Sequence, residues 1–385
     1  MSKRKVCVVV TARPSYSRIK SALEAIITNP ELELQLVVAA SANLDRYGLA
    51  ANYIEKDGFQ ITAKVFNVLE GENLMAAAKT TGLGILELST VFSNIKPDVV
   101  VTIADRFETM ATAVAATYMN IPLAHVQGGE VTGSIDEKVR HSITKLSDYH
   151  FVASEGARQR VIRMGEQESC VYNTGCPSID LAAEVWRKPA LDFNPYVRYG
   201  GVGVEKDISN GYLVVMQHPV TTEYEESREQ ISETLQALVQ LNYPVLWFWP
   251  NVDAGSDGTS KGIREFREMN DVSHFRFFKN FEPLDFLKLL YNCKCLIGNS
   301  SVGIRECSYL GIPVVNIGSR QESRERGANV LDVGYNSEEI QKGVMNQIKV
   351  GKYKSEPIYG DGKAGARISR LLGEVKLSIS KKITY

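Results

Sequence analysis

Long hydrophobic runs are missing from this 385-residue sequence. No stretch approaches the roughly 18 apolar residues of a membrane-crossing helix. The N-terminal MSKRKVCVVVTARPS has an apolar run only from Val6 to Val10 before Arg13 and Pro14 interrupt it. A secretory signal needs about 7–15 apolar residues, so a first β-strand is the better reading. Net charge is also missing: 44 Lys and Arg stand against 45 Asp and Glu. That balance removes the electrostatic reason to expect nucleic acid or an acidic membrane as partner. No G-x-G-x-x-G follows the first strand and no G-x-x-x-x-G-K-[ST] occurs, which disfavours a nicotinamide enzyme and a P-loop NTPase. No D-x-D or clustered His/Asp pattern suggests a bound metal. Cysteines are few: Cys7, Cys170, Cys176, Cys293, Cys295 and Cys307. The C-x-C pair has no second Cys/His pair nearby, so buried free thiols are expected, and with them a cytoplasmic location. Repeats and low-complexity tracts are absent too.

What is present is an alternation of strand-length apolar runs with helical patterns. The strands expected in the first half are VCVVV, LQLVVAA, DVVVTIA, IPLAHV and YHFVAS. In the second half they are YLVVMQH, PVLWFWPN, FRFFKN, CKCLIGN and IPVVNIG. The runs are continuous rather than alternating, as for parallel strands covered on both faces. The fold class is therefore α/β, with two doubly wound, Rossmann-like domains. Periodicity breaks near 182–210. Domains over 1–185 and 186–365 are expected, with a C-terminal helix over 366–385 packing back on the first. Ligands of such sheets bind beyond the carboxyl ends of the strands, so the default site is a cleft between the domains.

The residues that follow each strand carry the chemistry. Arg13 stands at the mouth of a helix starting near Ser15, where a guanidinium suits either a phosphate or a surface ion pair. Asp105 ends an abrupt apolar run. It suits a general base or a sugar-hydroxyl acceptor, or equally the N-cap of the next helix. The stretch HVQGGEVTGSIDEKVRH, His125 to His141, sets several ionisable groups around glycines. A helix is expected over Asp136–Leu146, with Asp136 paired to Arg140 and Glu137 to His141. His218, followed by Pro219, is a candidate for proton transfer. After CKCLIG, the turn NSSVG leads into a helix. The N–H groups of Ser301, Val302 and Gly303 would face a phosphate there, with the Ser300 and Ser301 hydroxyls beside them. Glu306, in that helix's second turn, suits two ribose hydroxyls. Arg320 ends the last strand.

TARPSYSR, ADRFE, QGGEVTGSIDEKVRH, QHPVTTE, PNVDAGS, GNSSVGIRE, NIGSRQESRERG and IYGDG occur in this order. Together they resemble the hydrolysing UDP-N-acetylglucosamine 2-epimerases over essentially the whole chain. The epimerase half of the vertebrate bifunctional epimerase/kinase is similar too. The resemblance implies a GT-B-like fold and a reaction needing neither metal nor cofactor. In that family UDP-N-acetylglucosamine loses UDP by elimination to 2-acetamidoglucal, and water adds to give free N-acetylmannosamine, the first step of sialic acid synthesis. It implies diphosphate contacts at Arg13 and Ser17 and nucleotide contacts at Asn251 and Phe281. Ser300, Ser301, Glu306 and Arg320 would hold diphosphate and ribose, and Asp105, Asp136 and His218 would be catalytic. Gln127 departs from the pattern, standing where better-known members carry a catalytic Glu. Either Glu130 supplies the missing acid, or Asp105 and Asp136 suffice, or the substrate is a different sugar nucleotide with two acetamido groups. The expected partners are a UDP-sugar and further copies of the chain, as a homodimer or homotetramer. Rival readings are a GT-B glycosyltransferase, a non-hydrolysing epimerase and a non-catalytic nucleotide-sugar sensor.

Overall fold

The computed structural model describes residues 2–45, 49–69, 74–132, 136–220, 222–250 and 255–384; the side chains of Leu74 and Asp136 lie outside that description. The chain divides into two compact units. The first comprises Met1–Val131, Asp136–Asp180 and Tyr359–Tyr385, and the second is chiefly Leu181–Ile358.

Among the described residues each unit holds one seven-stranded sheet. In the first, β1 (Arg4–Val10), β2 (Leu32–Ala39), β3 (Ile61–Val65), β4 (Val99–Ile103), β5 (Leu123–Val126), β6 (Tyr149–Val152) and β7 (Val171–Asn173) lie in the order 3-2-1-4-5-6-7. All of these pairings are parallel. In the second, β8 (Val202–Gly203), β9 (Leu213–Met216), β10 (Val245–Phe248), β11 (Phe275–Phe278), β12 (Cys295–Gly298), β13 (Val314–Ile317) and β14 (Val330–Val333) lie in the order 14-13-12-9-10-11-8. Only β8 runs antiparallel, against β11. Read from its first parallel strand, the second sheet repeats the 3-2-1-4-5-6 order of a nucleotide-binding fold. Strand order therefore reverses between β1 and β4 in one unit and between β9 and β12 in the other.

Residues buried on both sheet faces build the cores. Val6, Val8, Val10, Val99 and Val101 form one layer with Ile19, Leu23 and Ile26, while Cys7, Val9, Val37 and Val100 form the opposite layer with Leu88 and Phe92. In the second unit Trp247, Phe275 and Phe277 fill one side of the sheet, and Phe248, Phe278 and Phe281 the other.

The helix expected over 366–385 is shorter. It runs Ala364–Glu374 and packs Ile368 and Leu372 into the first unit's core. Gly365 permits the close approach: a Cβ there would stand 2.5 Å from the Ser21 backbone. Beyond Glu374 the chain is a non-helical strap. Lys376 O accepts from the Tyr149 hydroxyl at 2.7 Å, and Lys381 pairs with Glu166. In this tail Val375, Leu377 and Ile379 alternate with Lys376, Ser378 and Ser380, a period of two that leaves no apolar stripe for a helix to bury.

Candidate active site

In the first unit the site is built where β4 and β5 end side by side. Ala104 and Gln127, the residues just past these strands, both adopt left-handed backbone, with φ of 61° and 66°. Such conformations cost about 1–3 kcal/mol each in a non-glycine residue and persist only where surroundings enforce them. The enforcement here is visible. Ala104 N–H donates to Val126 O at 2.9 Å, and Gln127 N–H to Phe151 O at 2.9 Å. His125 Nε2 donates to Ala104 O at 2.8 Å, while Nδ1 faces the Thr144 hydroxyl at 3.2 Å. Burial pushes this imidazole down to about 3, outweighing the bond to Ala104. His125 is thus a neutral clamp across the strand ends, not a proton carrier.

The kink at Ala104 presents Asp105. Its carboxylate is ion-paired with the buried Arg140, and Arg18 Nη1 lies 3.8 Å away. Arg140 Nη1 also donates to Glu130 O at 3.0 Å and to Glu137 at 3.3 Å. One guanidinium therefore ties Asp105, the Glu130 backbone and the helix Asp136–Leu146 into a single network. Asp105 does not cap the next helix; Arg106 occupies the cap position, and its side chain does not bond the helix's first backbone N–H groups. Instead Arg106 grips Glu108 at 3.1 and 3.3 Å. The expected pair Glu137–His141 forms at 2.8 Å and Arg140 pairs with Asp105; the expected Asp136–Arg140 pair lies outside the described side chains. Gln127 is buried beside Cys176, with Nε2 2.6 Å from Sγ. Gly129, at φ 74°, fits where a Cβ would meet Ala157 O at 2.5 Å.

In the second unit the equivalent point lies between β9 and β12. Gly298 has φ 128°, and a Cβ there would stand 2.2 Å from Met216 O on β9. Only glycine lets the two strands end so close together. Next comes Asn299, buried, whose Oδ1 accepts from His218 N–H at 2.8 Å and whose Nδ2 donates to His218 O at 2.8 Å. The Asn299 carbonyl accepts from Arg320 Nη1 at 3.2 Å and Gln321 Nε2 at 2.9 Å. Arg305 Nη2 donates to the Ser301 hydroxyl at 2.9 Å, and its Nε lies 3.9 Å from Glu306. His218, Ser301, Arg305, Glu306 and Arg320 therefore gather at one strand-end cluster.

Residues 24–373 match the family described as UDP-N-acetylglucosamine 2-epimerase. The chain belongs to this family. It is 34% identical, over 97% of both chains, to the UDP-N,N'-diacetylbacillosamine 2-epimerase (hydrolyzing) of Legionella pneumophila subsp. pneumophila. It is 30% identical to the GDP/UDP-N,N'-diacetylbacillosamine 2-epimerase (hydrolyzing) of Campylobacter jejuni subsp. jejuni, covering 86% of this chain and 85% of that one. A crystal structure of the Methanocaldococcus jannaschii UDP-GlcNAc 2-epimerase in complex with UDP-GlcNAc and UDP superposes with TM-score 0.78. It is 20% identical and covers 96% of this chain and 99% of that one. At that identity the likeness speaks for the GT-B-like fold.

Within this family member several expected residues are differently placed. The turn after β12 is a four-residue helix, Ser301–Ile304, that breaks at Arg305 before a second, Glu306–Leu310. Glu306 thus opens a helix instead of sitting in a second turn. So short a helix carries little dipole. Gly303 N–H is already donated to Ser300 O at 3.0 Å, so it does not face a ligand. Phe281 is a core aromatic, stacked on Tyr199 at 3.7 Å and edge-on to Phe248 at 5.1 Å. Arg13 does head a short helix, Arg13–Ser17, with its guanidinium 4.7 Å over the Tyr53 ring, and Ser17 bonds Pro14 O at 3.0 Å. Asn251 lies outside the described residues, as does the Asp136 side chain. Sequence reading missed Arg140 as a partner of Asp105, and missed Asn299 and Arg305. One signal was available: Arg140 falls on the buried stripe of its helix, three residues before Ile143, and a buried guanidinium demands an acidic partner. Among the described residues no His/Cys/Asp/Glu group could hold a metal, and no helix is long and apolar enough to cross a membrane.

Proposed function

We propose that the protein hydrolyses a UDP-2-acetamido sugar with inversion at C2. UDP is lost by elimination across C1 and C2, and water then adds to the resulting glycal to release the free sugar. The whole-length match to relatives named as hydrolysing 2-epimerases carries this reading. In it, the first unit supplies proton transfer. A positioned base must take the weakly acidic C2 proton as the leaving group departs. Asp105 and Asp136 take that task, with Glu130 as the acid in place of Gln127. The second unit holds the nucleotide. Arg320, Ser300 and Ser301 meet the diphosphate, Glu306 the ribose, and His218 stands by the phosphate–sugar bridge; Arg13 and Ser17 add phosphate contacts and Asn251 a nucleotide contact. Fixed cations beside the departing UDP would stabilise the charge that develops there.

For the sugar we favour UDP-N,N'-diacetylbacillosamine. Two relatives at 30% identity or more are named for N,N'-diacetylbacillosamine nucleotides, while a third, 31% identical, from Escherichia coli is named a polysialic acid biosynthesis protein. Gln127 supports it independently: its Oε1 is buried with no hydrogen-bond partner among the described residues. An unmet buried acceptor costs about 1–3 kcal/mol, and the N–H of a second acetamido group would satisfy it. UDP-N-acetylglucosamine, at the head of sialic acid synthesis, is the second reading, favoured by the family description. Six free cysteines, five of them buried, support a reducing, cytoplasmic setting.

Proton NMR of the purified protein with each UDP-sugar in turn tests this. Free 2-epimerised sugar and UDP are expected, with the diacetamido substrate preferred. A product that stays attached to UDP would instead mean a non-hydrolysing epimerase. Turnover only when an acceptor is added would mean a glycosyltransferase, and tight UDP binding without turnover a sensor.

A further inference from the structure

We infer that Asn299 is a positioning residue: its side chain and its carbonyl together set His218 and Arg320 against the nucleotide. The inference rests on the second unit being the nucleotide-holding one. The geometry is specific to an asparagine amide. Oδ1 accepts the His218 N–H and Nδ2 donates to the His218 carbonyl, both at 2.8 Å. The amide thus reads both polar groups of one residue, as a neighbouring strand would. β9 has ended two residues earlier, at Met216. The described register of β9 stops at Met216, and Pro219 can donate no hydrogen bond. Asn299 also closes the other side, with its own N–H on Met216 O at 3.1 Å and its carbonyl taking Arg320 and Gln321. The loop bearing His218 and the turn bearing Arg320 are each fastened to this one buried residue.

An aspartate is nearly isosteric but has no donor, so it would set a carboxylate oxygen against the His218 carbonyl. Displacements of about 1 Å in a catalytic group cost up to about a hundredfold. N299D should therefore fold with a near-normal melting temperature. It should lose about a hundredfold in kcat/KM and bind UDP at least about tenfold more weakly. The double variant H218Q/N299D separates positioning from general damage. If Asn299 acts on turnover through His218, kcat of the double variant stays within about threefold of H218Q alone. A folded N299D with wild-type kcat/KM, or losses that multiply fully in the double variant, overturns the inference. Hydrogen exchange in the wild-type protein needs no substitution. Strong protection of the His218 amide is expected, and exchange within seconds refutes the clamp. Should the wild-type protein release no UDP from any UDP-sugar, the functional reading fails on its own; UDP affinity and amide protection still decide the role of Asn299.

Discussion

Arg140 offers the sharpest quantitative test. Its side chain is 1% exposed and that of Asp105 10%, so two charges are held away from water. Replacing Arg140 with Met leaves Asp105 with Arg18 alone, at 3.8 Å, and strips Glu130 O of a donor at 3.0 Å. Removing one partner of a buried pair costs about 3–5 kcal/mol, because the survivor remains desolvated. Arg18 recovers part of this, so about 3 kcal/mol is expected. At about 2–4 °C per kcal/mol for a unit of this size, the first unit should melt roughly 6–12 °C lower. The decisive variant is the double one. Asp105→Asn with Arg140→Met removes both charges and with them the desolvation penalty. It should recover at least about 2 kcal/mol relative to the sum of the single losses. Scanning calorimetry and denaturant titration of the four proteins give the coupling directly. Additive losses would show that the two residues do not constitute a buried pair. Arg140→Lys should not rescue, since a single ammonium cannot span both Asp105 and the Glu130 carbonyl.

Gly298→Ala should cost more than about 2 kcal/mol, because a Cβ 2.2 Å from Met216 O at φ 128° combines a clash with a strained backbone. Soluble protein with an unshifted melting point would contradict this. Glu166 makes stability depend on pH. Burial alone would raise its carboxyl, but hydrogen bonds from His150, Lys145 and Lys381 outweigh it and bring the group to about 2. A depressed acid stabilises the fold above its unfolded value and loses that contribution as pH falls towards the folded one. About 2–3 kcal/mol should therefore disappear between about pH 5 and pH 2. Glu166→Gln should lack this acid sensitivity; denaturation curves of the two proteins that stay parallel from pH 7 to pH 2 would refute it. Gln127→Glu should raise kcat/KM on UDP-N-acetylglucosamine by at least about tenfold and lower it on the diacetamido substrate. Steady-state kinetics on both sugars would expose a position that matters to neither.

Legibility in this sequence follows position in the sheet. All ten strands expected from continuous apolar runs are present, and none of them is a sheet edge. The four that went unread, β3, β7, β8 and β14, are the outermost strands of the two sheets. A central parallel strand must be apolar on both faces. An edge strand need not be: ITAKV, VYN and VLDV are mixed in polarity and partly exposed, and VG is two exposed residues, too short to read. The site divides in the same manner. Asp105 and His218 stand out as candidates because each ends an apolar run abruptly, and that is local information. Their partners are not local: Arg140 is 35 residues from Asp105, and Asn299 is 81 from His218. A group that meets ligand has to stand at a strand end, whereas the group that holds it in place need only arrive there once the sheet has formed. What sequence windows lose at such a site is therefore its support, and in both units that support comes from a residue just beyond a strand end or on a neighbouring helix, brought in by the sheet order.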